Sequence, residues 1–284
     1  MTEITVQAVK SLRERTGAGM MECKRALIET GGDEEQAIDL LRQKGAAKAA
    51  ARSHRSATEG AVAAVQSDAG TVAMVAVSSE TDFVARNDVF RSFVAQVADA
   101  VADADLESGR VYSGEDLLAR PELADLEQNL TDLRSSIGEN LQIRSGVRYV
   151  SAEESATGSY VHFGDKIGVV VELAGTEPTD AARELARDVA MHVAAANPLG
   201  VRPEDIPEEQ RERERAILVE QAKGEGKPDA IAEKIVEGRM RKYFEQSTLT
   251  EQAFVKDPDI KVGALVEQRA PGAQIKGFTR FEVG

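Results

Sequence analysis

The chain has 284 residues, 42% of them hydrophobic and 30% charged, with a net charge of −14; it is long and apolar enough for one large domain or two to three smaller ones, which excludes a disordered protein. The acidity argues against non-specific nucleic-acid binding, where phosphate repulsion is unfavourable, and it is uneven: residues 1–55 carry ten Lys and Arg against eight Asp and Glu, so the remainder carries −16. The single Cys23 cannot close an intramolecular disulfide, the opening residues lack a signal peptide's apolar run, and no stretch approaches the ~20 apolar residues of a membrane span, so a cytoplasmic protein with a protein partner is expected.

The basic head reads as three short helices, roughly Val6 to Arg15, Met20 to Thr30 and Glu34 to Lys44, separated by Gly17-Ala18-Gly19 and Gly31-Gly32-Asp33. Leu27 and Ile28 on the second, and Ala37, Ile38, Leu40 and Leu41 on the third, supply apolar faces at helical spacing. Cys23 reads as a buried helical thiol. Gly45 is expected just past a helix end, with the Ala-rich segment from Ala46 to Arg55 as a helical extension or linker.

Val72 to Val77 is a short apolar run rich in β-branched residues, a buried strand by length and composition. After it, Ser79 to Asn87 reads as a connection built for contact, with Asn87-Asp88 offering N-caps to a helix from about Val89. Phe83 in such a connection either folds back onto the core or waits for a partner's pocket; on the residues alone the core reading is favoured. Residues 62–101 give strand, Asp68-Ala69-Gly70 turn, strand, loop and helix, and residues 158–196 repeat that order at an offset of 95, pairing Val72 with Ile167, Val75 with Val170, Val94 with Val189 and Ala98 with Val193. Two related subdomains of antiparallel sheet backed by helices follow from this pattern, an α+β fold. Only the first copy keeps an acid and an aromatic together, since the second has Thr176-Glu177-Pro178 in place of Thr81-Asp82-Phe83.

Between the copies, Ser113 to Ser135 is Leu-spaced and reads as helix, and Leu141 to Val150 as a strand. Glu208 to Lys223 and Asp229 to Phe244 are two helical stretches joined by Gly224-Glu225-Gly226-Lys227-Pro228, expected to run antiparallel as a hairpin. Glu209 and Arg213 have i,i+4 spacing for an ion pair, and Ile231, Ile235 and Val236 offer an apolar seam. A short helix, Val262 to Gln268, and a strand, Ile275 to Val283, close the chain.

Catalytic chemistry has no local signature. Gly224-Glu225-Gly226-Lys227 lacks the spacing and the hydroxyl of a phosphate-binding loop. His54, His162 and His192 are scattered, and one cysteine cannot complete a zinc set. The chain reads as a non-enzyme without cofactor or metal. His192, on an apolar helix, reads as a core or interface histidine, whereas His162 ends the strand Ser159-Tyr160-Val161 before a turn and can protrude.

Thr81-Asp82-Phe83-Val84-Ala85-Arg86-Asn87 resembles the signature loop of the bacterial translation elongation factor Ts family, nucleotide exchange factors for the GTPase elongation factor Tu. Leu12-Arg13-Glu14-Arg15-Thr16-Gly17-Ala18-Gly19-Met20-Met21-Glu22-Cys23-Lys24 is similar to the family's opening motif. Ile137-Gly138-Glu139-Asn140, Met191-His192-Val193-Ala194-Ala195 and the closing Gly277 to Gly284 resemble three others in the family's order.

The resemblance implies a head like a ubiquitin-associated domain in residues 1–55, core subdomains in 56–150 and 151–284, and a coiled-coil arm at about 204–245. It implies binding of elongation factor Tu in its GDP-bound and nucleotide-free states, with no direct nucleic-acid or membrane contact; a homodimer or 2:2 complex stays open. It assigns Asp82 and Phe83 the disturbance of the GTPase's Mg²⁺ site, with Thr81 and Val84 holding the loop. Further partner contacts are implied for Arg86 and Asn87, for His162 in Gly158-Ser159-Tyr160-Val161-His162, and for Leu12, Arg13, Thr16 and Gly17. The Phe163-Gly164-Asp165 turn is longer and bulkier than the family's pattern. An adaptor that uses the head to bind other proteins is the rival expectation.

Overall fold

The computed structural model describes residues 4–52, 54–67, 70–225 and 229–284. The expected turn residues Asp68 and Ala69, and Gly226, Lys227 and Pro228 of the hairpin connection, lie outside the described residues.

The head is three helices, α1 (Val6–Thr16), α2 (Met20–Glu29) and α3 (Glu34–Arg52). Thr5 caps α1 and Gly17 ends it at φ +66°, a left-handed turn that glycine makes without a Cβ penalty. Val9, Leu12, Cys23, Ala26, Leu27 and Ala37 form the head's own core. Ile28 does not share it, being 59% exposed. Gly45 is not a helix end: it is buried inside α3, where a Cβ would stand 2.0 Å from Ser135 Oγ. Its smallness lets α3 lie against the later helix that carries Ser135, so the head is docked on the sheet-bearing part.

The first copy consists of β1 (Glu59–Gln66), β2 (Val72–Ser79), the single turn α4 (Asp82–Ala85) and α5 (Asp88–Asp103). Then come β3 (Val111–Ser113), α6 (Gly114–Leu118), α7 (Ala124–Ile137) and β4 (Gln142–Tyr149). The helix expected over Ser113 to Ser135 is therefore interrupted, because Pro121 has no N–H to donate and Arg120 before it is extended at φ −84°, ψ 129°. The second copy is β5 (Ser155–Val161), β6 (Ile167–Ala174) and α8 (Asp180–Ala196). The hairpin α9 (Glu208–Gly224) and α10 (Asp229–Ser247) follows, then β7 (Ala253–Phe254), β8 (Asp257–Lys261), α11 (Val262–Arg269) and β9 (Gln274–Glu282).

All strand pairs within the two main sheets are antiparallel, in the orders β1-β2-β4-β3 and β5-β6-β9. Alternation along β2 shows how the layers stack. Ala73, Val75 and Val77 face α5, α6 and α7 with Phe90, Val94 and Leu130, whereas Val72, Met74 and Ala76 join Val147, Val170 and Phe281 between the sheets. On β6, Val169, Val171 and Leu173 turn to α8 and α11. The result is helix, sheet, sheet, helix. Gly168 permits the close approach of the sheets, since a Cβ there would lie 2.4 Å from Val62 Cγ1 and 2.8 Å from Met74 Sδ.

The hairpin's seam is Leu218, Ala222 and Val236 with Val219, Ala232, Ile235 and Met240 beside them. Ile231 faces outward instead, 49% exposed, and Glu209 and Arg213 form no ion pair; among the described residues the arm's helices are tied by Arg239 and Glu225 at 2.5 Å. No described helix is long and apolar enough to cross a membrane, and no three His, Cys, Asp or Glu among the described residues form a metal-binding group.

Candidate partner-binding site

β2 is buried along its full length, so it delivers the chain at Ser79 to a fixed place. Thr81 then caps α4, its Oγ1 accepting from Val84 N–H at 3.4 Å. One helical turn puts Val84 and Ala85 toward the body and leaves Phe83 out in water, 82% exposed. The core placement that residue type favours for Phe83 is thereby overturned. Asp82 pairs with Arg86 at 3.2 Å, and Asn87 caps α5 by accepting from Val89 and Phe90 N–H at 2.9 and 3.4 Å. The loop is thus ordered from both ends.

What holds it from below comes from 58 residues away. Glu139 Oε1 accepts from Thr81 Oγ1 at 2.7 Å, and Oε2 accepts from the N–H groups of Glu80 and Thr81 at 3.1 Å each. In return, Glu80 Oε1 accepts from Asn140 N–H at 2.6 Å and lies 3.6 Å from Arg55. Gly138, left-handed at φ +84° as the cap of α7, turns the chain so that Glu139 can face the loop. Glycine is suited to this conformation because it has no Cβ to clash. Hydrogen bonds to a charged carboxylate are stronger than neutral ones, about 1.5–3 kcal/mol each, so the exposed Phe83 stands on a rigid base.

The head meets the same place. An added Cβ on Gly17 would lie 3.4 Å from Ser136 Cβ, Gly45 lies on Ser135, and Arg55 carbonyl accepts from Asn140 Nδ2 at 2.8 Å. The end of α7 therefore gathers the Gly17 turn, the head's exit and the Thr81 loop. Arg13 is exposed. Thr16 Oγ1 donates to Leu12 carbonyl at 2.7 Å and accepts from Ala18 N–H at 3.3 Å, finishing α1. Leu12 has no exposed surface. Its apolar side chain fills the head's core, so the contact expected of it is corrected to support of α1.

His162 is exposed at the β5–β6 turn, its Nδ1 3.0 Å from Tyr160 hydroxyl. Phe163 beside it is 97% exposed. In the sequence alone Phe163 stands out only as bulk and Glu139 has no assigned role. The signal for Glu139 was its place in the Ile137 to Asn140 motif, but no local spacing ties it to Thr81.

A family model described as Elongation factor TS matches residues 80–284 of the chain, beginning at the Glu80 that Asn140 grips. The chain belongs to the elongation factor Ts family. A curated relative, Elongation factor Ts of Alkalilimnicola ehrlichii, is 48% identical over 286 aligned residues, which cover 99% of this chain and 92% of the relative. That coverage includes the head and the first strands, which lie before the matched family model. This member of the family is a translation elongation factor, and the ordered loop with an outward phenylalanine lies in the part of the chain that defines the family.

Proposed function

We propose that the protein is a guanine nucleotide exchange factor that binds elongation factor Tu in its GDP-bound form and stabilises the nucleotide-free GTPase. It acts in the cytoplasm during chain elongation and needs no active site of its own. The observation that carries this reading is Phe83, 82% exposed on a turn clamped by Glu139, because an aromatic held rigidly in water suits insertion into a partner. Thr81 and Val84 hold the turn, and Asp82 and Phe83 act on the segments around the GTPase's Mg²⁺. That ion demands near-ideal octahedral geometry, so a small displacement of its protein ligands loosens it. Arg86, Asn87, His162, Arg13, Thr16 and Gly17 complete the contact, with Asn87 and Thr16 acting through the caps they make.

Exchange of this kind is a coupling between two ligands of one GTPase, and coupling is reciprocal: if GDP weakens the factor, the factor weakens GDP equally. Titration of the protein into nucleotide-free and into GDP-saturated elongation factor Tu tests it. The nucleotide-free form should bind about 100-fold or more tightly, equivalent to ~2.7 kcal/mol of coupling. Equal affinities would overturn the exchange reading and leave an adaptor.

A further inference from the structure

Two partner-facing segments leave the body on different sheets: α4 with Phe83 follows β2, and the His162 to Asp165 turn joins β5 to β6. Arg91, in the first turns of α5, reaches both. Its Nε donates to Ala85 carbonyl at the end of α4 at 3.4 Å, and a terminal nitrogen lies 2.8 Å from the Asp165 carboxylate. Asp165 is held a second time, its carbonyl accepting from Val62 N–H on β1 at 2.6 Å. Its backbone is left-handed at φ +60°, a region Asp enters more readily than most residues. Arg91 and Asp165 also line, with Val62, Val94 and Val161, the cleft where β1 and α5 meet β5.

We propose that the Arg91–Asp165 pair is a positioning element that fixes the Phe83 turn relative to the His162–Phe163 tip, so that both engage the GTPase as one unit. This rests on the exchange-factor reading above. A guanidinium suits the task because its planar fork serves two acceptors from one rigid group, which an ammonium does not. The pair is half-exposed, with side chains 43% and 39% accessible, so it contributes little to global stability. Its consequence lies in geometry, where small misplacements of acting groups can cost large factors in rate.

The test compares the unaltered protein with Arg91→Gln, Arg91→Lys, Asp165→Asn and the double variant Arg91→Gln/Asp165→Asn. For each, the maximal rate of GDP release from elongation factor Tu at saturating factor, the affinity of the complex and the melting temperature are measured. Each single change should lower the maximal rate about fivefold, with the melting temperature unchanged and the double variant no worse than the worse single one. Arg91→Lys should be as impaired as Arg91→Gln. Asp165→Asn keeps a residue that accepts positive φ, so the test survives any loss of folding in the arginine variants. Undiminished rates in the single variants, losses that multiply in the double, or full activity of Arg91→Lys would overturn the pair's role while leaving exchange intact. No acceleration by the unaltered protein would overturn both.

Discussion

An aromatic ring left in water forgoes about 1.5–3 kcal/mol that burial would contribute, and Phe83 and Phe163 do so on two separate turns, 82% and 97% exposed. By contrast His192, from another family motif, is fully used inside the protein. Its Nε2–H donates to Gln252 Oε1 at 3.0 Å and its Nδ1 accepts from Val255 N–H at 3.1 Å, an arrangement that only the neutral ring satisfies. Burial pushes the imidazole below its ordinary 6.5, with the Gln252 hydrogen bond opposing. The unfolded chain then binds a proton that the folded one refuses, so this contribution to stability is whole above pH 6.5 and is lost as pH falls below it. Melting temperature measured from about pH 7.5 to about pH 5 should decline on the acid side in the unaltered protein and decline less steeply in His192→Gln. An unchanged slope in the variant would assign the decline to other groups. Asp188 adds a similar dependence at lower pH. Burial alone would raise its carboxyl, but Lys256 and Arg269, at 2.7 and 2.6 Å, hold it below the usual carboxylate range.

Among the elements, the contact between sheets is set by side-chain size. Gly168 on β6 faces Val62 and Met74 of the other sheet, and Val62 is β-branched with little rotamer freedom to retreat. Gly168→Ala should therefore destabilise by about 1–3 kcal/mol, read as a lower midpoint in urea unfolding. A midpoint unchanged within error would mean that the two sheets are free to separate at that point. Much of this element level was legible in the sequence. The length and β-branched composition of its apolar run made β2 legible, and the strand, turn, strand, loop and helix order repeated at an offset of 95 made α5, β6 and α8 legible, because buried elements need apolar residues over their whole length or along one face. Gly45, read as a helix end, and Ile231, read as seam, were misplaced because what decides them is the neighbour each one meets, Ser135 in one case and solvent in the other. The loop shows the same limit: the difference between the copies was visible, but a four-residue helical turn hung on Glu139 was not, since its hydrogen bonds span 58 residues.

At the scale of the whole molecule, four layers make one rigid support for an edge where the head's Gly17 turn, the Phe83 turn and the His162 tip are all tied to the body. α7 ends at Gly138 and presents Glu139 to the loop while Ser135 and Ser136 receive the head. On the exchange-factor proposal such pre-organisation matters, because ordering a loop at the moment of binding would reduce the free energy left for acting on the GTPase. The acidic body and mildly basic head also give the surface an electrical asymmetry that can orient the encounter. The most direct measurement is stopped-flow release of a fluorescent GDP analogue from elongation factor Tu, with the unaltered protein and with Phe83→Ala. Because Phe83 is exposed, the variant should fold with stability changed by less than about 0.5 kcal/mol. It should still bind the GTPase, yet release GDP at least about tenfold more slowly at saturation. Release by Phe83→Ala as fast as by the unaltered protein would contradict the account.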